Sequence, residues 1–192
     1  MRPKNRQAPS IERGQLLQEM RSAFAWRRDR ADDRWTADLT RWWADPAILR
    51  QLGAALAEPF RDREPTVVFG PQSRGALLGA LVALELGVGL VELRKDPVPA
   101  ADSDRWLIAR TPPDYQDRNL RLGARRGLVP STARVLLVDD WAATGGQATA
   151  ARTLVEMAEA SWCGASVIVD ALTDPRLRRD LNLQSLFREN DL

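Results

Sequence analysis

The sequence predicts an α/β fold: a single domain with a central parallel sheet flanked by helices. Three observations carry that expectation. Short apolar segments, TVVF (66–69), GLVEL (89–93), ARVLLVD (133–139) and ASVIVDA (165–171), read as strands buried on both faces. Between them, RGALLGALVALELG (74–87) and QATAARTLVEMAEA (147–160) carry apolar residues at helical spacing. Strand and helix alternate, which favours parallel pairing through helical crossovers.

Taken in order, the chain opens on a basic stretch, MRPKNR, so residues 1–10 are expected to be a flexible tail and 11–192 the domain. Ile11, Leu16, Leu17, Met20 and Phe24 fall on one helical stripe, with Ser10 as its cap. A clearer helix follows in ADPAILRQLGAALAEPF: Asp45 caps it, Pro46 suits its first position, and Ile48, Leu49, Leu52 and Leu56 share a side. Trp42 and Trp43 precede that helix and are expected in the core or at a dimer contact. From Lys95 to Arg118 prolines and aspartates replace any period, which predicts a long loop; such loops in compact domains act as lids.

Composition narrows the chemistry. The 192 residues are 44% hydrophobic and 28% charged, enough for a core under an ordinary charged surface, and a net charge of +2 gives no reason to expect nucleic acid. Cys163 stands alone, so no intramolecular disulfide or cysteine metal cluster forms. Histidine is absent, which removes the Ser-His-Asp and Cys-His hydrolases and most zinc sites. Chemistry here must run on carboxylates, tyrosine, arginine, lysine, backbone amides and Mg²⁺. GALLGALVAL, the longest apolar run, is too short to span a bilayer, so no membrane contact and a cytoplasmic location are expected.

In parallel sheets ligands bind outside the carboxyl ends of strands. Asp139 and Asp140 end the third strand, Thr144, Gly145 and Gly146 follow, and a helix begins near Gln147. Glycines there let backbone N–H groups converge while the helix N-terminus adds positive potential, which makes a phosphate cradle. The two carboxylates can accept hydrogen bonds from vicinal hydroxyls, so the pair of features suits a ribose 5-phosphate. An acidic strand end that only caps a helix, or a metal-binding phosphoacceptor acid, is the competing reading. GPQSRGAL (70–77) has the glycine spacing of a Walker A loop but Ala76-Leu77 where Lys-Ser/Thr is required, so an ATPase is excluded.

VLLVDDWAATGGQ (135–147) resembles the phosphoribosyl pyrophosphate (PRPP) motif of type I phosphoribosyltransferases, and within them the adenine phosphoribosyltransferase form VDDLLATGGT. The resemblance implies a type I phosphoribosyltransferase-like fold with a small hood from the N-terminal (about 11–45) and C-terminal segments. It implies Asp139 and Asp140 on the ribose hydroxyls, and Ala143, Thr144, Gly145, Gly146 and Gln147 around the 5-phosphate. VVFGPQSRGALLGALVALELGVGLVELRK (67–95) is similar to the family's pyrophosphate loop and following strand, which implies pyrophosphate contacts from Ser73, Arg74, Gly75, Arg94 and Lys95. PPDYQDRNLRL (112–122) is similar to the lid segment, about 95–118, in which a Glu-Tyr pair closes the site; Asp114 and Tyr115 take those places, with Arg74 as a third catalytic candidate.

The likeness covers about residues 36–172 and departs on the base side. Thr36 stands at the family's aromatic hood position beside Trp35, Gln147 replaces a phosphate-binding threonine, and Gln72 replaces an acid in the pyrophosphate loop. Trp35, Thr36 and Trp141 are the base-pocket candidates, with Trp26 able to line a rebuilt pocket. The resemblance implies a Mg²⁺-dependent enzyme joining PRPP to a nitrogenous base, adenine first, with release of pyrophosphate, working as a homodimer without nucleic acid. No metal-ligating residue is assigned, because the ion is expected on PRPP oxygens and water. The alternative is a PRPP- or nucleotide-binding regulator of the same fold without turnover.

Overall fold

The computed structural model describes residues 13–28, 35–97, 105–111 and 120–192. The chain divides into two compact units, residues 1–51 with Leu192, and residues 52–191.

In the first unit, α1 (Arg13–Ala23) buries Leu16 and Met20, two members of the expected stripe; Ser10 and Ile11 lie outside the described residues. β1 (Ala25–Arg28) and β2 (Trp35–Asp38) form an antiparallel ribbon, and α2 (Thr40–Ala44) follows. Trp42 on α2 is fully buried, and its indole Nε1–H donates to the Met20 carbonyl at 2.7 Å. The core role expected of Trp42 therefore holds. α3 (Pro46–Ala57) starts where proline fixes the backbone, and Asp45 Oδ1 accepts from the Ala47 N–H at 2.7 Å, as a cap should.

In the second unit the elements are β3 (Val67–Pro71), α4 (Arg74–Leu86), β4 (Gly89–Lys95), β5 (Trp106–Arg110) and β6 (Arg121–Arg125). Then come β7 (Arg134–Ala142), α5 (Gly146–Met157), β8 (Ser161–Asp170), α6 (Pro175–Asp180) and β9 (Leu183–Arg188). They build a seven-stranded sheet in the order β5-β6-β4-β3-β7-β8-β9. β4, β3, β7, β8 and β9 run parallel, while β6 and β5 add an antiparallel edge. α4 packs over β3, β4 and β7, and α5 over β5 to β8. Val68 meets the α4 side at Gly79, whereas its neighbour Phe69 joins Leu93, Leu122, Leu137 and Leu154 in one continuous core, as strand alternation requires.

Two expectations change. β5 lies inside the stretch read as loop; Leu107 and Ala109 point inward there, a two-residue period hidden between prolines and aspartates. β7 also continues past the acid pair, because β8 still pairs with it at Trp141↔Val169 and Ala142↔Asp170. At the end of β8 the buried Asp170 carboxylate meets Arg178 Nε at 2.6 Å and Arg188 Nη1 at 2.8 Å, which ties β8, α6 and β9 together. Among the described residues no helix is long and apolar enough to cross a membrane.

Candidate active site

The site begins at the carboxyl end of β7. The turn into α5 needs glycine at Gly145, whose φ is +75° and where a Cβ would lie 2.8 Å from Leu177 Cδ2. The chain can then start α5 at Gly146, whose N–H donates to Thr144 Oγ1 at 3.3 Å. A helix N-terminus leaves N–H groups without intrahelical partners and carries partial positive charge. Gln147 sits in this first turn, and its Oε1 is enclosed without a hydrogen-bond partner. Asp139, Trp141, Lys95 and Thr111 join the 143–147 turn around a cavity of about 240 Å³.

The two acids have different surroundings. Asp139 is 7% exposed, and its Oδ1 accepts the Asp140 N–H at 2.9 Å. That oxygen also crowds α4: a Cβ on Gly75 would lie 2.7 Å from it, so glycine is what lets helix and carboxylate approach. Burial first, and the Asp140 charge second, hold the Asp139 carboxyl well above the usual carboxylate range, against the Asp140 N–H and Lys95. Asp140, the next residue along β7, does not line the cavity. Its Oδ2 lies 2.9 Å from Arg74 Nη1. The pair is not aligned as a hydrogen bond, so this solvent-shielded oxygen has no donor. Arg74 is half exposed, which weakens the pair by solvent screening.

The loop between β3 and α4 forms the adjoining wall. Gln72 N–H donates to the Leu93 carbonyl at 3.0 Å, and its Oε1 accepts from the Lys95 N–H at 3.0 Å, so this side chain fastens the loop to the end of β4. The Gln72–Ser73 peptide is cis. Ser73 precedes α4 without a side-chain cap bond. Arg94 and Lys95 are consecutive on β4 and face opposite sides of the sheet: Lys95 reaches the cavity, while Arg94 Nε lies 3.7 Å from Glu92. In the hood ribbon Trp35 and Thr36 likewise face opposite ways, Trp35 with Trp26 and Arg28, Thr36 with Arg27 and Asp38. Asp114 and Tyr115 lie outside the described residues. Sequence reasoning missed Thr111, Leu120 and Val167, which complete the cavity wall from β5, the approach to β6 and β8. No local motif marks them; only the sheet order brings them to β7.

A mostly parallel sheet with a glycine-turned helix start beside a buried acid pair is the architecture of a phosphoribosyl transferase domain. Residues 43–183 match that family, and the chain belongs to it. Its relatives are adenine phosphoribosyltransferases. That of Nocardioides sp. is 44% identical over 135 residues, 68% of this chain and 67% of the relative. That of Corynebacterium jeikeium is 36% identical over 136 residues, and the matched part spans 69% of this chain but 63% of the relative, under two thirds of its length. The structure of the Saccharomyces cerevisiae enzyme, complexed with D-2,5-dideoxy-2,5-imino-altritol 1,6-bisphosphate and adenine, is similar with a TM-score of 0.76 and 27% identity. That likeness covers 90% of this chain and 99% of the other.

Proposed function

We propose that this chain is a phosphoribosyltransferase that moves the 5-phosphoribosyl group of PRPP onto a purine, adenine first, and releases pyrophosphate in purine salvage. One observation carries the reading: a single cavity is bounded by the buried Asp139, by Lys95 and by the turn into α5. The cradle N–H groups and Ala143 to Gln147 hold the 5-phosphate. Asp139 and Asp140 hold the ribose hydroxyls, Asp140 exchanging Arg74 for its hydroxyl. Arg74, freed at the head of α4, turns to pyrophosphate with Ser73, Gly75, Lys95 and Arg94. Gln147 takes the role of the family's hydroxyl through its side-chain amide.

Departure of pyrophosphate leaves cationic character at the anomeric carbon, so water must be excluded; the 95–118 segment, with Asp114 and Tyr115, serves as the lid, and Asp114 relays the base proton. Mg²⁺ fits this donor set as a substrate-borne ion. It would be held by PRPP oxygens and water, with no side chain of this chain assigned to it. Its contribution is to neutralise pyrophosphate as a leaving group. A second copy of the chain covers the α4 stripe, where Leu77 and Leu84 are 60% and 81% exposed.

The test is pyrophosphate release from PRPP with a panel of purines and pyrimidines. Release that depends on a base supports the proposal. Tight PRPP binding with no release under any base overturns it in favour of a regulatory binding protein.

A further inference from the structure

We propose that the Asp170–Arg178 ion pair positions the phosphate turn, acting on it through Leu172 and Leu177. This rests on the transfer reading above and deepens it by naming what keeps the 5-phosphate site in shape. All four residues and the turn lie in the second unit.

The turn between β7 and α5 is poorly placed to fasten itself. Its N–H groups must stay available to a phosphate, so bonding them within the turn would occupy the donors the ligand needs. The bond from the Gly146 N–H to Thr144 Oγ1 is long, at 3.3 Å. Gly145 has more backbone freedom to lose than any other residue type. Packing therefore has to supply the order. A Cβ on Gly145 would lie 2.8 Å from Leu177 Cδ2 and 3.1 Å from Leu172 Cδ2, so the glycine backbone rests against both side chains. Neither leucine lines the cavity of Asp139 and Lys95, so each reaches a ligand there through the turn. Packing this close transmits strain.

One buried carboxylate places both leucines. Asp170 Oδ1 accepts the Leu172 N–H at 2.9 Å, and Arg178 Nη2, 3.3 Å from the same oxygen, donates to the Leu172 carbonyl. The ion pair thus grips Leu172 at both of its backbone groups. Leu177 precedes Arg178 on α6, a helix of six residues and too short to hold itself by propensity. Asp174 Oδ1 caps its start by accepting the Arg176 N–H at 2.8 Å, and Arg152 of α5 donates to the Asp180 carbonyl at its end, at 2.9 Å. Arg178 Nε, 2.6 Å from Asp170 Oδ2, fixes the stretch between. The Ala171 N–H donates to the Ala142 carbonyl at 2.9 Å, which registers this assembly on the last residue of β7, where the turn begins. Only a planar guanidinium fork can reach a carboxylate and a neighbouring carbonyl together, so lysine cannot replace Arg178.

The experiment is calorimetry on the full chain with ribose 5-phosphate and, separately, pyrophosphate, together with amide hydrogen exchange across residues 143–147 in the absence of ligand. Arg178→Lys keeps the charge beside Asp170 but loses the fork, and Leu177→Ala removes the support itself. In both, ribose 5-phosphate affinity is expected to fall by about tenfold to a hundredfold, as small misplacements of a binding group do. Pyrophosphate affinity should stay unchanged, and exchange in the turn should speed up. Leu177→Met conserves volume and should behave as wild type. A general loss of folding lowers both affinities and is not repaired by methionine. Unchanged ribose 5-phosphate affinity in Leu177→Ala and Arg178→Lys, or an equal loss for pyrophosphate, overturns the positioning role. If the wild type binds no ribose 5-phosphate, the transfer reading fails on its own. Exchange then decides the positioning: unchanged rates in the turn reject it, and faster exchange in Leu177→Ala that Leu177→Met lacks supports it.

Discussion

Replacing Asp139 by asparagine should make the protein more stable while destroying its grip on PRPP. The carboxylate is 7% exposed, and burial and its acidic neighbour push its pKa well above the ordinary range. A folded-state pKa above the unfolded one means the folded protein holds this proton more tightly. The stabilisation is therefore complete below the unfolded value, about 3.9, and is lost as pH rises through the folded value. At neutral and alkaline pH the buried charge is a burden that asparagine removes. Asparagine keeps the shape, the acceptor for the Asp140 N–H at 2.9 Å and the fit against Gly75. Relief of this kind at a functional site amounts to about 1–2 kcal/mol. For a chain of this size that is a Tm rise of about 2–8 °C at pH 8, shrinking toward zero near pH 4. PRPP affinity should fall at least tenfold, since each hydrogen bond to a charged group is worth about 1.5–3 kcal/mol. Thermal melts of both proteins from pH 4 to 8, alongside PRPP calorimetry, read out both effects. A variant whose Tm falls equally at every pH, or which binds PRPP as the wild type does, would refute the reasoning.

Three further substitutions probe the supports of the same site. Arg74→Ala should weaken pyrophosphate binding with little change in Tm, because its ion pair with Asp140 is half exposed and worth about 0–1 kcal/mol; equal pyrophosphate affinity by calorimetry would make this arginine structural. Gly145→Ala should cost about 1–2 kcal/mol, from a left-handed φ of +75° and a Cβ driven toward Leu177. Its PRPP KM should rise, and a variant matching wild type in both Tm and KM would contradict the cradle geometry. Asp170→Ala removes the buried carboxylate from a partly exposed Arg178 and a half-exposed Arg188, whose solvent access tempers the cost, and should cost about 2–3 kcal/mol in denaturant unfolding; a loss below about 1 kcal/mol would show that the triad does not tie the end of the sheet.

The elements most legible in the sequence were those whose physics is local and repeated. β3, β7 and β8 read as apolar runs because both faces of the sheet are covered there, β4 buries only Val91 and Leu93 yet is apolar enough to read as a strand, and α3, α4 and α5 show their periods over at least three turns. β5 was not legible. Its inward residues are only Leu107 and Ala109, too few to outweigh the flanking prolines and aspartates. The ribbon was not legible either: β1 is exposed throughout, so no burial alternation is written into AWRR. The glycine turn after β7, by contrast, was readable: Gly145 is required by backbone conformation, and α5 opens at Gly146, one residue before the Gln147 expected. The roles of Gln72 and Asp170 depend on β4, α6 and β9 arriving from elsewhere, which no short motif encodes.

Adjacency in sequence also misleads about shared surroundings wherever the residues lie on a strand. Asp139 and Asp140, Arg94 and Lys95, and Trp35 and Thr36 each look like a pair, yet a two-residue period turns the members of each to different surroundings. Residues two apart on a strand keep the same surroundings. Asp139 and Trp141 line one cavity from β7, and Trp26 and Arg28 share one face of the ribbon. This spacing lets evolution alter one member of an adjacent pair without disturbing the work of the other. Thr36 and Trp35, on opposite faces of the ribbon, therefore cannot both line one pocket. The departures at Trp35 and Thr36 fall in the first unit, and the acid pair with its glycine turn falls in the second.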